Sequence, residues 1–330
     1  MSRCGTHWRP SRRAATAALA ALAGGARAAG AAFPSRAVRI VVPYAVGIGP
    51  DVVARGIARQ LGRLWGQPVI VDNRPGASGI VAFGDVRRTA ADGHTLYLAD
   101  TATLAVNPLL HARLPYDPAH DLVPLTLLFH ATFLLWTGSR NRLRGIADLQ
   151  AAARREPGRV SYASLGNGHA SQVAIETYAR AADLRLLHVP FKDAGTLFTA
   201  LAAGDVDLTA FSMNSLAGLM AAGRVRPLAV AAGRRLESHP GIPTLAEAGG
   251  PPVHMHPWAA LVARAGTPAA VLALLQRDIG SVMALPEVHR LAVQTGFEIT
   301  PSSPQGLRDR IAADTAAYRP LVEEGRIARF

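Results

Sequence analysis

From residue 37 onward, apolar and polar positions alternate between two periods. VRIVVPY (residues 38–44) is a short β-rich run, and PDVVARGIARQLGRLWG (50–66) places Val53, Ile57, Leu61 and Leu64 at helical spacing on one face. QPVIVDN (67–73) returns to the strand pattern, ASGIVAFGDVRRTA (77–90) predicts a second helix, and HTLYLAD (94–100) a third strand. Strands alternating with helices imply a parallel sheet with helices on its faces. Pro and Asp interrupt the rhythm in NPLLHARLPYDPAHDLVP. After LTLLFHATFLLWTGS the alternation resumes: RVSYASLG, LRLLHVPF, DVDLTAFS and VRPLAVAA are strands, and HASQVAIETYARAA, GTLFTALAAG and SLAGLMAAG are helices between them. Two strand-like segments, near 124–136 and 254–264, sit where these units meet, which predicts two crossovers and hence a hinge; amphipathic helices follow over 268–284 and 305–324.

The first 33 residues break this picture. Arg3, Arg9, Arg12 and Arg13 precede the apolar run Ala14–Ala23, and small residues follow it, the pattern of a cleaved export signal. The run is too short to span a bilayer, for which about 18 to 20 apolar residues are needed. Cys4, the only cysteine, would leave with the signal, so thiol catalysis, cysteine–metal sites and disulfides are excluded from the exported chain. Its stability must come from its core, which a 330-residue chain with 49% hydrophobic residues can supply as two domains.

Formal charge is +12, and removing the five arginines of residues 1–33 leaves +7, which favours anionic partners. The basic residues, only one of them lysine (Lys192), are scattered, and aromatics make up 6%, so no nucleic-acid footprint is present.

Three loops are candidates for an anion. In an open α/β sheet, ligands sit beyond the carboxyl ends of strands, and a helix N-terminus offers unpaired N–H groups with about half a positive charge. The first loop, YAVGIGPD, brings Tyr44, Val46, Gly47, Gly49 and Asp51; the second, ADTATLAVN, brings Thr101 and Thr103; the third, SLGNGHAS, brings Ser164, Gly166, Asn167, His169 and Ser171. Each has a plainer explanation as a turn or a helix cap. None matches a phosphate loop or a dinucleotide fingerprint. Two domains joined by a double crossover would let these loops face one cleft.

Enzymatic chemistry finds less support. Ile80 occupies the last position of what would be a GxSxG elbow at Ser78, and Ser164 also lacks one. His254 and His256 are spaced to share a strand face, but no HExxH or carboxylate partner accompanies them, so neither a metal nor any other cofactor is expected. Asp205 and Asp207 flank a strand start and are explained by a turn.

FPSRAVRIVVPY, DVVAR, GQPVIVDNRPGASG, ADGHTLYLADTATLAVNPLL, LPYDPAHDLVPLTLL, PGRVSYASLGNG, HVPFKDAG, AGDVDL, AGRVRPLAV, HPGIPTLAEAG and ARAGTP occur in that order. Together they resemble the Bug/TctC proteins, extracytoplasmic solute receptors of tripartite tricarboxylate transporters, over nearly the whole chain after the signal. The resemblance implies an α/β, two-domain Venus-flytrap fold of the type II periplasmic-binding-protein kind. Its expected limits are 1–33 signal, 34–129 plus 256–330 domain I, and 130–255 domain II. It further implies a periplasmic monomer that is not an enzyme, closes on a small carboxylate and presents it to a membrane permease. Alternatives are a receptor of the same fold that signals to a sensor kinase and, more distantly, a serine hydrolase using Ser164 or Ser78. In the family the carboxylate is held by backbone amides, hydroxyls and ordered waters rather than by a salt bridge, and here the three loops would do so.

This chain departs from the family at the loops themselves. PYAVGIGPD stands where relatives carry roughly PFPPGGSTD, and His169 and Ala170 replace two hydroxyl residues. Phe211 and Ser212 stand where many relatives have Asp and Asn. Without the acid at Phe211, which would also line the site, the expected ligand is a carboxylate lacking an ammonium group.

Overall fold

The computed structural model describes residues 33–330, so all but the last residue of the expected export signal lies outside the described part. From Arg36 the chain builds two sheets. The first contains β1 (Val38–Val42), β2 (Val69–Asn73), β3 (Thr95–Asp100), β4 (Leu122–Ala131), β10 (Trp258–Arg264) and β11 (Phe297–Ile299), in the order β11-β4-β10-β3-β1-β2. The second contains β5 (Phe133–Gly138), β6 (Ser161–Ser164), β7 (Leu187–Pro190), β8 (Leu208–Ser212) and β9 (Val225–Val230), in the order β7-β6-β8-β5-β9. The helices are α1 (Gly49–Trp65), α2 (Ile80–Val86), α3 (Asn107–Leu110), α4 (Pro118–Asp121), α5 (Ile146–Arg155), α6 (Ala170–Ala181), α7 (Ala194–Ala203), α8 (Met213–Ala221), α9 (Ala269–Met283), α10 (Pro286–Thr295) and α11 (Pro304–Glu323).

Neither sheet is purely parallel. β1, β2 and β3 run parallel, as do β6, β7 and β8, because each successive pair is joined through a helix. β10 runs antiparallel to both β3 and β4, and β5 antiparallel to both β8 and β9. These strands arrive from the other sheet, not over a helical crossover, so the parallel rule does not bind them. At Ala131–Phe133 the chain passes from β4 into β5, and at 255–257 it returns beside itself: Ala131 N–H donates to Pro257 O (2.8 Å) and Phe133 N–H to Met255 O (3.1 Å).

The cores follow from the sequence pattern. Val53, Ile57 and Leu61 of α1 are fully buried, while Leu64 in its last turn is 53% exposed. On the buried side Gly56 lets Leu291 of α10 press against the helix backbone. Residues 77–90 form a shorter helix than the pattern predicts. Ala77 and Ser78 have positive φ, and Asn107 Nδ2 donates to Ser78 O (2.9 Å), holding that turn out of the helix. The second sheet is filled by Trp136, Tyr162, Tyr178 and Leu135, all fully buried, each such side chain contributing about 1.5–3 kcal/mol by its removal from water. Arg36–Phe330 clusters as one unit, so the layers of the two sheets are in contact.

Candidate functional site

The loops at the carboxyl ends of β1 and β3 are joined by Tyr44 and Asp100, and the loop after β6 approaches β8 through His169 and Phe211. The first loop is fastened from below by Asp51, which is fully buried. Its carboxylate accepts from Gly47 N (2.8 Å), Arg55 Nε (3.0 Å) and Asn73 Nδ2 (2.8 Å), and Asn73 also donates to Tyr44 O (3.0 Å). Burial opposes the charge, but the bonds from Arg55, Asn73 and Gly47 prevail and hold Asp51 below the usual carboxylate range. Asp51 therefore shapes the loop instead of lining the gap. Gly47 needs its freedom for φ +83°, whereas Gly49 needs its small size, since a Cβ there would stand 2.6 Å from the Phe297 ring. Val46 and Ile48 are exposed at the loop's rim.

At the end of β3 stands Asp100, which the loop pattern does not single out. Its Oδ1 accepts from Thr103 N and Thr103 Oγ1, both at 2.8 Å, and its Oδ2 accepts from Tyr44 OH at 2.5 Å. Burial and then the charge of Asp100 push the Tyr44 phenol well above its ordinary pKa, so it remains a donor. Thr103 is fully buried, and Thr101 Oγ1 accepts from Trp258 N (3.0 Å), tying β3 to the start of β10.

On the facing loop, Gly168 N donates to Gln172 Oε1 (2.7 Å), which leaves Gln172 Nε2 aimed at His188 Nδ1 (3.2 Å). An acceptor at Nδ1 assigns the His188 proton to Nε2, which donates to Ser164 Oγ at 2.6 Å. Ser164 in turn donates to Gly166 O (3.1 Å). The imidazole is thus a donor to the serine and cannot take its proton, so this pair is not a nucleophile and its base.

His169 caps α6: its Nδ1 accepts from Ser171 N (3.1 Å), with Ser171 Oγ 2.8 Å away. Burial pushes its pKa down to about 4, so at neutral pH the ring is uncharged with its proton on Nε2. His169 also lies close enough to Asp100 to respond to its charge across the gap. Phe211 belongs to the core: it is 7% exposed, with ring centroids 5.0 Å from Phe198 and 5.9 Å from Phe133, and 6.4 Å from His169.

Many of the donors expected to hold an anion are committed within the chain. The amides of Gly47, Thr103, Gly166, Gly168 and Ser171 each donate to a side chain of this protein. The hydroxyls of Thr101, Thr103, Ser164 and Ser171 are likewise paired, as buried polar groups must be. Asn167 Nδ2 bridges to Ala328 O (2.8 Å), and Gly168 sits where a Cβ would meet Leu110 Cδ1 at 2.5 Å. On the other flank Asn214 Nδ2 donates to Val293 O (3.2 Å) and Gln294 O (2.8 Å). These contacts join elements of the second sheet to elements that pack on the first.

His130, His254 and His256 gather at the double crossover, with the His256 ring centroid 5.1 Å from that of His130 and 6.0 Å from that of His254. A small cavity beside them is lined by Thr101, Ala170, Thr177, His254, His256 and Tyr318. Among the described residues, no group of three or more His, Cys, Asp or Glu is arranged to hold a metal ion.

The comparisons with known proteins agree with this architecture. Residues 53–326 match the family model described as the tripartite tricarboxylate transporter family receptor, TctC. A UPF0065 protein from the tcbD-tcbE intergenic region of Pseudomonas sp. (strain P51) is 34% identical over 297 residues, 90% of this chain and 88% of that one. Protein BugT of Bordetella pertussis is 30% identical over 293 residues, 88% of this chain and 90% of its own. Among solved structures, a Rhodopseudomonas palustris protein with adipate superposes with a TM-score of 0.81 at 29% identity, covering 90% of this chain and 100% of that one. MatC from the same organism, with bound malate, gives 0.77 at 27% identity, covering 88% and 99%. Two mixed sheets joined by a double crossover are the two-domain fold of periplasmic binding proteins, and with a family match spanning most of its length this chain belongs to the TctC/Bug receptors, a family of solute-binding proteins and not of enzymes.

Proposed function

We propose that this protein captures a small carboxylate between two lobes, residues 34–129 with 256–330 and residues 130–255, and hands it to the permease of a tripartite tricarboxylate transporter. It works as a monomer in the periplasm once residues 1–33 have been removed. What supports this reading is that the end of β3 and the start of α6, on different sheets, come together beside the double crossover: Thr101, next to Asp100, and Ala170, next to His169, line one small cavity, and Tyr44 donates to Asp100 there. The relatives solved with adipate and malate support a carboxylate as the class of ligand. His169 supplies an uncharged Nε2–H donor and α6 the positive end of its dipole, so a carboxylate can be held without a cationic side chain. An open form exchanges with a closed form, and the ligand favours the closed one because only there do both lobes touch it.

A melting-shift panel of mono-, di- and tricarboxylates tests this. The matching ligand stabilises by RT ln(1 + [L]/Kd), about 2.7 kcal/mol at a hundredfold excess over Kd. A panel in which no carboxylate moves the transition at millimolar concentration contradicts the proposal.

A further inference from the structure

The gap between the lobes carries an acid that the sequence pattern passes over. The expectation of a ligand without an ammonium group rests on Phe211 standing where relatives have an acid, and Phe211 turns out to pack in the core. The acid that reaches the gap is Asp100, only partly buried at the carboxyl end of β3. Its neighbours there are hydrogen-bond donors and not counter-charges: Tyr44 OH on one oxygen, Thr103 N and Oγ1 on the other. Among the described residues no arginine, lysine or histidine forms an ion pair with it within 4.0 Å. Oδ2 has a second lone pair beyond the one taken by Tyr44.

Across the gap the polarity is opposite. Ser171 N–H occupies His169 Nδ1, which leaves Nε2–H as the donor of that ring, next to the first turn of α6. One wall therefore donates and the other accepts. A ligand with a carboxylate at each end would place one of them against Asp100, where like charges in a closed, poorly hydrated space repel. A ligand with a carboxylate at one end and a donor at the other satisfies both walls.

We propose that Asp100 is a specificity-determining residue of the interlobe site: the ligand's carboxylate sits at His169 Nε2–H beside the start of α6, and a hydrogen-bond donor on the same ligand, ammonium or hydroxyl, sits on Asp100. This rests on the carboxylate reading given above and narrows it to amino or hydroxy acids.

Calorimetry at pH 7 with butyrate, 4-hydroxybutyrate, 4-aminobutyrate and succinate, together with their three- and five-carbon counterparts, separates the cases. At the chain length that fits best, the amino or hydroxy acid is expected to bind at least tenfold more tightly than the diacid and the unsubstituted acid; which of the two wins identifies the donor. Asp100→Asn, which keeps an acceptor for the Thr103 amide, is expected to erase that preference and raise diacid affinity at least tenfold. A structural role alone would weaken every acid alike and leave the order unchanged, which would overturn the proposal. Diacid binding as tight as that of the donor-bearing acid in the unmodified protein overturns it without recourse to any variant and leaves the carboxylate reading intact. Binding of none of these acids, nor of any in the melting panel, removes both.

Discussion

His169 and His256 are both pushed down to about 4, in each case first by burial, and for His256 also by His130, His254 and Arg310 nearby. The unfolded chain would hold these rings near the ordinary value of about 6.5. Between those limits the unfolded state binds protons that the folded state refuses, so stability is full above about 6.5 and is lost as pH falls toward 4. The melting temperature of the protein without ligand is expected to drop between pH 6.5 and 4.5, and to drop less in His256→Gln, whose amide can still reach Thr132. A flat profile in the unmodified protein would show that these rings are not held uncharged by the fold. At this scale the sequence says which residues enter the loops but not what they do there. Glycines and hydroxyls after strands mark YAVGIGPD and SLGNGHAS as backbone-rich turns, yet Asp51 is claimed by Asn73 from the neighbouring strand and Ser164 by His188 from another. Those partners lie 22 and 24 residues away, beyond any local pattern. Asp100 carried a signal in principle, as an acid ending an otherwise apolar strand at the edge where α/β ligands bind.

Among the elements, α8 and α10 meet on one flank of the two sheets. Asn214, in the first turn of α8, donates to the carbonyls of Val293 and Gln294 in the last turn of α10; that of Val293 also accepts from Gly296 N (3.1 Å), the cap of the helix. Gly296 allows this approach, since a Cβ there would lie 3.0 Å from Asn214 Cβ at φ +84°. Asn214→Ala removes bonds made only when the lobes meet, so it is expected to weaken ligand binding about five- to tenfold, in keeping with roughly 1 kcal/mol for such hydrogen bonds. The melting temperature without ligand should change by no more than a few degrees. Equal affinity in calorimetry would mean that this flank is in contact in the open form as well. Strands and long helices were legible because periods of 2 and 3.6 survive in VRIVV and DVVARGIARQL. The reversed direction of β5 and β10 was not, since strand direction depends on how the chain re-enters a sheet and leaves no mark on the alternation of side chains. The helix α10 and the three-residue β11 escaped for another reason: Leu291 and Phe297 are drawn into place by Gly56, Gly49 and Phe129, all from other elements.

For the whole molecule the decisive feature is that the chain crosses between sheets twice, at 131–133 and 255–257, with the two crossings bonded to each other. The apolar segments LTLLFHATFLLW and HMHPWAALVA make both crossings visible in the sequence, because each is a strand-like run at a place where one unit ends and another begins. What a linear pattern cannot give is the distance between lobes, which depends on contacts such as Asn167 with Ala328 and Asn214 with Val293. Two strands side by side permit rotation of one lobe against the other while limiting sliding, the property a receptor needs if its ligand is to shift a pre-existing balance of open and closed forms. Small-angle X-ray scattering of the purified protein, with and without the carboxylate that raises its melting temperature most, measures that motion. Capture by closure requires the radius of gyration to fall on saturation while the mass stays that of one chain; an unchanged radius with the ligand demonstrably bound would contradict it.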